Sequence, residues 1–375
     1  MGPVAGAQRE RWFAVRDRLL ASPRFQRWAA AFPLTQPIAR RRARALFDLC
    51  AGFVYSQILA ACVRVRLCEI LFEGPQTLAE LAPRLRLPAE ATARLLDAAV
   101  SLRLASHRGT DRYGLGDLGA ALVGNPGIAA MVEHHALLYA DLRDPVALLR
   151  GEAGDTELAR YWPYSGSAAP AALTAERVAA YTTLMSASQS LIAGEVLDAY
   201  PLGRHRCLLD VGGGDGTFLV AAAARAPALR LMLFDIPAVA ERARARFASA
   251  GLADHATTFG GDFFADPLPT GADVISLVRV LHDHDDAGAV AILRAVRRAL
   301  PEEGTVLVAE PMSGTAGAET VGDAYFGFYL LAMGRGRART PDEIHGLLRR
   351  TGFGQIRSVA TRHPLQTGLV LAKPL

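Results

Sequence analysis

The ten residues Leu208-Leu209-Asp210-Val211-Gly212-Gly213-Gly214-Asp215-Gly216-Thr217 constrain this chain more than any others. An apolar run from Cys207 to Val211 predicts a buried strand. It breaks into glycines and resumes as the apolar run Phe218 to Ala224, which predicts a helix. Glycines at 212, 214 and 216 let the backbone turn sharply and let a ligand approach the main chain without meeting a Cβ. The spacing is G-x-G-x-G. The third glycine of a dinucleotide fingerprint would stand at 217, where this chain has Thr217.

That substitution tilts the turn from NAD toward S-adenosylmethionine. A plain tight turn has the same composition, so the downstream residues decide. Leu231-Met232-Leu233-Phe234 predicts the next strand, and Asp235 ends it, where a carboxylate can accept both hydroxyls of a ribose. Thr258-Phe259-Gly260-Gly261-Asp262-Phe263-Phe264 predicts a third strand ending in a carboxylate and an aromatic ring. Asp262 can accept from an adenine amino group, and Phe263 can lie on the ring face. Glycine turn, ribose acid and adenine pair thus fall at the carboxyl ends of three successive strands, where open α/β sheets bind ligands.

The chain has 375 residues, which suggests two domains. At 51% hydrophobic and 21% charged it can bury a large core. Lys373 is the only lysine against 40 arginines. Residues 1–50 hold ten arginines against Glu10, Asp17 and Asp48, so the basic surplus is an N-terminal property. Cys50, Cys62, Cys68 and Cys207 lack C-x-x-C spacing and sit in apolar surroundings, which predicts reduced core residues of a cytoplasmic protein. The helix-like apolar stretch Ala51 to Val63 is too short to span a bilayer, and no secretory signal precedes it.

Residues 8–32 predict two short amphipathic helices, with arginines filling the faces beside Trp12, Val15, Leu19, Phe25 and Trp28. A longer basic helix follows, through about residue 65. Residues 67–123 predict a winged helix, with Thr77 and Glu80 forming a capping box. Its third helix, from Ala89, carries one arginine and two acids over its first ten residues. That charge is poor for a phosphate-rich groove and favours packing or dimerisation over DNA binding. Residues 124–200 read as helical, with loops at Asn125-Pro126-Gly127 and around Tyr161-Trp162-Pro163-Tyr164. From 207 onward, strands near 207–211, 231–235, 256–260, 273–278, 304–310, 355–360 and 367–372 alternate with helices in a doubly wound α/β sheet.

A second constellation lies at the fourth strand's exit, Val280-Leu281-His282-Asp283-His284-Asp285-Asp286. Methyl transfer to an oxygen needs alignment and removal of the acceptor's proton. A histidine just past a strand's carboxyl end suits the second task, and Glu310, closing the next strand, can hold its other ring nitrogen. The His/Asp cluster also permits a divalent metal, but consecutive residues leaving a strand fan outward, so no metal is assigned. Asp285 and Asp286 read as first-turn acids of the following helix. His134, His135, His255 and His345 read as core or surface residues.

At Asp210-Val-Gly-Gly-Gly-Asp-Gly, Phe234-Asp-Ile-Pro-Ala-Val, Gly260-Gly-Asp-Phe-Phe, Leu281-His-Asp-His-Asp-Asp and Arg339-Thr-Pro-Asp-Glu-Ile, the chain resembles the class I S-adenosylmethionine-dependent O-methyltransferases, the relatives of caffeate and acetylserotonin O-methyltransferases. The resemblance covers roughly residues 50–375. Beyond the basic arm read over 1–45, it implies a helical winged-helix dimerisation domain over 46–180 and a Rossmann-like methyltransferase domain with a seven-stranded sheet over 181–375. It implies that Gly212, Gly214, Gly216, Asp235, Ile236, Asp262, Phe263 and Arg279 contact S-adenosylmethionine, that His282 is the base, and that Glu310 is its partner. Plant members place a lysine at Val278, a glutamate at Ala338 and a tryptophan at His284, so these positions point away from plant-type phenol chemistry.

With Arg16-Asp-Arg-Leu-Leu-Ala-Ser-Pro-Arg-Phe-Gln-Arg-Trp and Tyr161-Trp-Pro-Tyr-Ser included, the chain is similar to the bacterial carotenoid 1-hydroxy O-methyltransferases, which act on demethylspheroidene and hydroxyneurosporene. The rival is a bacteriochlorophyllide C-20 methyltransferase, a carbon methylator. The resemblance implies a hydrophobic acceptor, a homodimer, no nucleic-acid partner and a cytoplasmic protein, with the basic arm suited to the membrane periphery. A DNA-binding regulator and an NAD-dependent oxidoreductase are the readings from other classes.

Overall fold

The computed structural model describes residues 3–162, 170–365 and 367–375. The chain divides into two compact units, residues 1–123 and 124–375. The boundary expected at 180 falls inside one continuous helix, Ala175–Ala199.

The first unit begins with α1 (Pro3–Ala21), α2 (Pro23–Ala31), α3 (Gln36–Arg64) and α4 (Leu67–Phe72). Then follow β1 (Gln76–Thr77), α5 (Leu78–Leu85), α6 (Ala89–Ser101), β2 (Ala105–His107), β3 (Arg112–Leu115) and α7 (Asp117–Val123). The Thr77 hydroxyl accepts from the Glu80 N–H while the Glu80 carboxylate accepts from the Thr77 N–H, so the expected capping box starts α5. Its apolar face, Leu81 and Leu85, packs with Leu67, Leu71, Leu96 and Ala99 in one core. β2 and β3 form the wing, antiparallel, with β1 on the far side of β3. On α6, Arg94 pairs with Glu90, so the third helix's one early arginine is neutralised on its own helix.

Two expectations are corrected here. α3 is 29 residues long, so the apolar stretch is part of a helix long and apolar enough to cross a membrane by length and composition. Only Ala60, Cys62 and Val63 of it are buried. Cys50 is exposed rather than in the core, because it precedes the buried end of that helix. Cys62 and Cys68 are buried, and burial pushes their thiols up to about 12 and about 11.

The second unit opens with α8 (Pro126–Asp141), α9 (Pro145–Leu149), α10 (Glu157–Tyr161) and α11 (Ala175–Ala199). The expected loop around 161–164 is described only to Trp162; Pro163, Tyr164 and Ser165 lie outside the described residues. Then β4 (Cys207–Val211), α12 (Thr217–Arg225), β5 (Arg230–Asp235), α13 (Pro237–Ser249), β6 (Ala256–Gly260) and β7 (Val274–Val278) alternate. They continue into α14 (Asp286–Ala299), β8 (Thr305–Glu310), α15 (Gly327–Met333), α16 (Pro341–Arg350), β9 (Phe353–Val359) and β10 (Gly368–Pro374).

The seven strands order as β6-β5-β4-β7-β8-β10-β9. β6, β5, β4, β7 and β8 run parallel, while β10 is antiparallel to both β8 and β9, so the sheet is mixed. β4, β7 and β8 are buried along their whole length, which is why they read as continuous apolar runs rather than alternating ones. The chain leaves β4 toward β5 and β6, then returns to β7 on β4's other side. That reversal opens a crevice beyond the carboxyl end of β4.

Candidate active site

A cavity of about 310 Å³ occupies that crevice. Its floor is the loop after β4. Gly212, Gly214 and Gly216 all have positive φ, at 69°, 61° and 81°. Gly212, Gly213 and Gly214 line the cavity, whereas Gly216 does not. Gly216 is the left-handed cap of α12, and a Cβ there would meet the Phe247 ring at 2.5 Å. A Cβ on Gly214 would instead enter space with no atom within 4 Å.

Asp235 ends β5 at the cavity wall. One carboxylate oxygen accepts from the Gly214 N–H at 2.8 Å and the other from the Ile236 N–H at 2.7 Å. Burial raises its pKa to about 7 against these two bonds. Asp210 lies beneath the loop, fully buried. One of its oxygens accepts from the Ser276 hydroxyl at 2.6 Å; Oδ2 has no hydrogen-bond partner among the described residues. Burial raises this carboxyl to about 7 as well, with the charge of Asp235 adding to it.

Ile236, Asp262, Phe263 and Arg279 also line the cavity, so the sequence-predicted set converges apart from Gly216. Asp262 accepts from the Phe264 N–H at 2.9 Å, which fixes its carboxylate at the mouth of the loop. Phe263 and Phe264 meet the ring of His284 edge-on, at 5.6 and 5.3 Å between centroids. Arg279 holds φ 59°, a strained value for a residue with a Cβ, and donates to the Ser188 hydroxyl at 3.0 Å.

His282 and Glu310 are buried just behind the wall, which their neighbours Val280 and Asp283 form. Glu310 ends β8. Its Oε1 accepts the N–H groups of Val280 and Leu281, at 3.0 and 2.6 Å, and its Oε2 meets His282 Nδ1 at 2.5 Å. The carboxylate thereby ties the exit of β7 to β8 and fixes the imidazole. His282 Nε2 lies 3.2 Å from Asp283 Oδ1. Burial alone would lower the pKa of His282, but the charges of Asp283 and Glu310 outweigh it and raise the value.

The acids after the histidine have other work. Asp285 is the N-cap of α14, accepting from the Gly288 N–H at 2.7 Å. Asp286 pairs with Arg337 and Arg339. Among the described residues no three of His, Cys, Asp and Glu form a metal-holding group.

Sequence reasoning missed one whole wall. Thr182, Ser186 and Gln189 of α11, with Met185 and Trp162, face the cavity. Asp215 was missed too. It is buried, accepts from Arg246, Thr217 and the Ser186 hydroxyl, and locks α11 and α13 onto the glycine loop. The spacing 182, 186, 189 marks one polar helix face and was the available signal. Beside His282, a segment Thr320–Phe326 is wound as a π-helix, a form frequent at functional sites. It sets the Phe326 ring edge-on to His282, at 5.9 Å. Behind it, Tyr329 accepts from the Trp162 indole at 3.0 Å and meets His134 Nε2 at 2.7 Å, while His135 meets Tyr325 at 2.8 Å. Burial holds His134 neutral, at about 4, so both histidines belong to a packed aromatic cluster.

Residues 139–354 match the O-methyltransferase domain, and residues 47–125 match the O-methyltransferase dimerisation domain. The chain is 46% identical to demethylspheroidene O-methyltransferase of Cereibacter sphaeroides, over 95% of this chain and 93% of that one. It is 40% identical to demethylspheroidene O-methyltransferase of Rhodobacter capsulatus, over 95% and 88%. Among solved structures, human N-acetylserotonin methyltransferase in complex with SAM superposes with a TM-score of 0.72 at 26% identity, covering 89% of this chain and 97% of that one.

Proposed function

The chain belongs to the S-adenosylmethionine-dependent O-methyltransferases, and from that premise we propose that it methylates the 1-hydroxy group of an acyclic carotenoid, with His282 as general base. The observation that carries the substrate class is the 46% identity to demethylspheroidene O-methyltransferase over nearly the whole of both chains. The dimerisation-domain match supports a homodimer.

The cavity suits S-adenosylmethionine by its own chemistry. Asp235 offers a carboxylate with lone pairs left over for ribose hydroxyls, and Gly214 leaves open space above its Cα for a ligand to fill. Phe263 supplies an apolar ring beside Asp262 for a flat heterocycle. When bound, S-adenosylmethionine supplies a methyl group on a sulfonium that leaves as a neutral thioether. Gly212, Gly214, Asp235, Ile236, Asp262, Phe263 and Arg279 would hold it.

His282 has the proton-transfer task. Its Nδ1 is committed to Glu310, which leaves Nε2 to take the acceptor's hydroxyl proton as the C–O bond forms. Glu310 then stabilises the imidazolium, and its two backbone bonds keep it from swinging away. Asp283 now covers Nε2, so an acceptor hydroxyl enters by taking over that contact. Trp162, Met185, Ile236 and Val239 on the cavity wall offer apolar contact to a hydrocarbon.

Labelled S-adenosylmethionine, a 1-hydroxy acyclic carotenoid and the purified protein test the reading. The expected product carries one labelled methyl as an ether at that hydroxyl, located by mass spectrometry and NMR. Label on a ring carbon of a chlorophyll precursor, or on a simple phenol while the carotenoid is returned unchanged, would overturn the substrate assignment.

A further inference from the structure

The outward face of α1 carries an exposed apolar stripe bordered by arginines. Trp12, Val15 and Leu19, spaced i, i+3 and i+7, form one stripe, and they are 61%, 63% and 48% exposed. Arg11 and Arg18 border the stripe on one side, and Arg9 and Arg16 border it on the other. Glu10 and Asp17 fall on the opposite side of the helix. Phe13 and Leu20 are half-buried and lie outside the stripe. The order is therefore apolar centre, cationic borders, anionic back. Arg16 also hydrogen-bonds Asp17 and lies over the Trp12 ring at 5.6 Å. α2 continues the theme: Trp28 and Phe32 are exposed and stacked at 5.2 Å, beside Arg24 and Arg27.

A second copy of the chain is the competing occupant. The dimerisation match begins at residue 47, so the exposed Phe47, Leu49 and Phe53 of α3 fall within it, whereas α1 and α2 precede it. Pairing two such α1 faces would set arginine borders against arginine borders, in a region where residues 1–50 carry ten arginines and three acids. An anionic partner has the complementary charge. The indole and aliphatic stripe suits the boundary between headgroups and acyl chains, and guanidinium groups suit phosphates. We propose that the α1–α2 arm docks this protein reversibly on bilayers containing anionic phospholipid. The inference stands on the arm alone and does not depend on which acceptor is methylated.

The test is co-sedimentation of the full-length protein with vesicles of pure phosphatidylcholine and with vesicles holding about 30% phosphatidylglycerol. Wild type is expected to bind only the anionic vesicles and to be released as salt rises toward about 0.5 M. Arg11→Glu/Arg18→Glu and, separately, Trp12→Glu are expected to lower partitioning by about tenfold or more. All three positions are surface-exposed, and unchanged S-adenosylmethionine affinity by calorimetry checks the fold. Equal binding to both vesicle types, or variants that bind as wild type does, would overturn the proposal. So would variants whose sedimentation mass drops to that of a monomer, because the face would then be an interface between copies.

Discussion

Asp283 Oδ1 stands 3.2 Å from Nε2 of His282, on the side of the ring opposite the nitrogen that Glu310 holds at 2.5 Å. One buried imidazole is thus clamped between two carboxylates. Burial disfavours its charged form, the two negative charges favour it, and the charges prevail. A base works only when unprotonated, so the clamp trades resting availability for basicity.

The pH profile follows from that sign. The kcat/KM value is expected to rise with pH through an ionisation above the usual histidine value. Asp283→Asn removes one of the charges that raise it and is expected to move that limb to lower pH, as is Glu310→Gln. His282→Ala is expected to leave cofactor affinity nearly intact and to cut kcat by about 10²–10⁴. The loss depends on the acceptor, since an alkyl alcohol is a far weaker acid than a phenol and needs the base more. Near-wild-type turnover of the alanine variant at neutral pH would leave alignment as the source of catalysis.

Asp235→Ala is expected to weaken S-adenosylmethionine binding by roughly 2–4 kcal/mol, because two ribose hydroxyls lose a charged acceptor. The wild-type affinity is also expected to fall as pH drops through about 7, where the carboxylate gains a proton. Asp235→Asn removes that pH dependence. Calorimetry at pH 6 and pH 8, as chosen conditions around that value, checks both; wild-type affinity in the alanine variant removes Asp235 from the site.

The glycine loop offers a paired contrast. Gly216→Ala puts a Cβ at 2.5 Å from Phe247 with φ at 81°, so it is expected to cost stability by about 2–5 kcal/mol. Gly214→Ala meets no atom and costs about 1–2 kcal/mol for its left-handed backbone. Its larger effect is expected on cofactor affinity, because the new methyl enters the cavity. Thermal unfolding and calorimetry on the two variants separate the effects, and an equal stability loss in both would refute the division of labour.

The sheet was legible because four of its strands are short apolar runs and β6 is a Thr/Phe run, all ended by chemistry-bearing residues: Asp210, Asp235, Asp262, Arg279 and Glu310 follow or close them. A carboxylate at a strand's carboxyl end has few purely structural uses, so its position carries information. The strand near 367–372 was legible but its antiparallel direction was not, since strand direction leaves no trace in an apolar run. Nor was the wall from α11, where Thr182, Ser186 and Gln189 are ordinary polar residues whose meaning comes from packing. Gly216 lies off the cavity lining, and its positive φ serves the helix start and the packing of Phe247. Local sequence shows that a glycine is needed there, and only the tertiary neighbour shows why.

Asp210 carries the last prediction. It is fully buried, with Ser276 on one oxygen and no hydrogen-bond partner on Oδ2 among the described residues, and its pKa is pushed up to about 7. In the unfolded chain an aspartate titrates near 3.9. Between about pH 4 and pH 7 the folded state therefore holds a proton that the unfolded state has released. Stability is then lost as pH rises through that window, by about 1.4 kcal/mol per pKa unit. Asp210→Asn keeps the shape and has nothing to ionise. Near pH 4 it is expected to gain nothing over wild type; near pH 8 it is expected to be more stable by a few kcal/mol. Asp235 shares the effect, because its charge raises Asp210, so Asp235→Ala is expected to shrink the gain. Urea unfolding of wild type and both variants across that range reads the difference directly, cancelling the surface groups they share. A difference between wild type and Asp210→Asn that stays flat with pH would show that Asp210 is ionised throughout, and that the loop above it tolerates a buried charge.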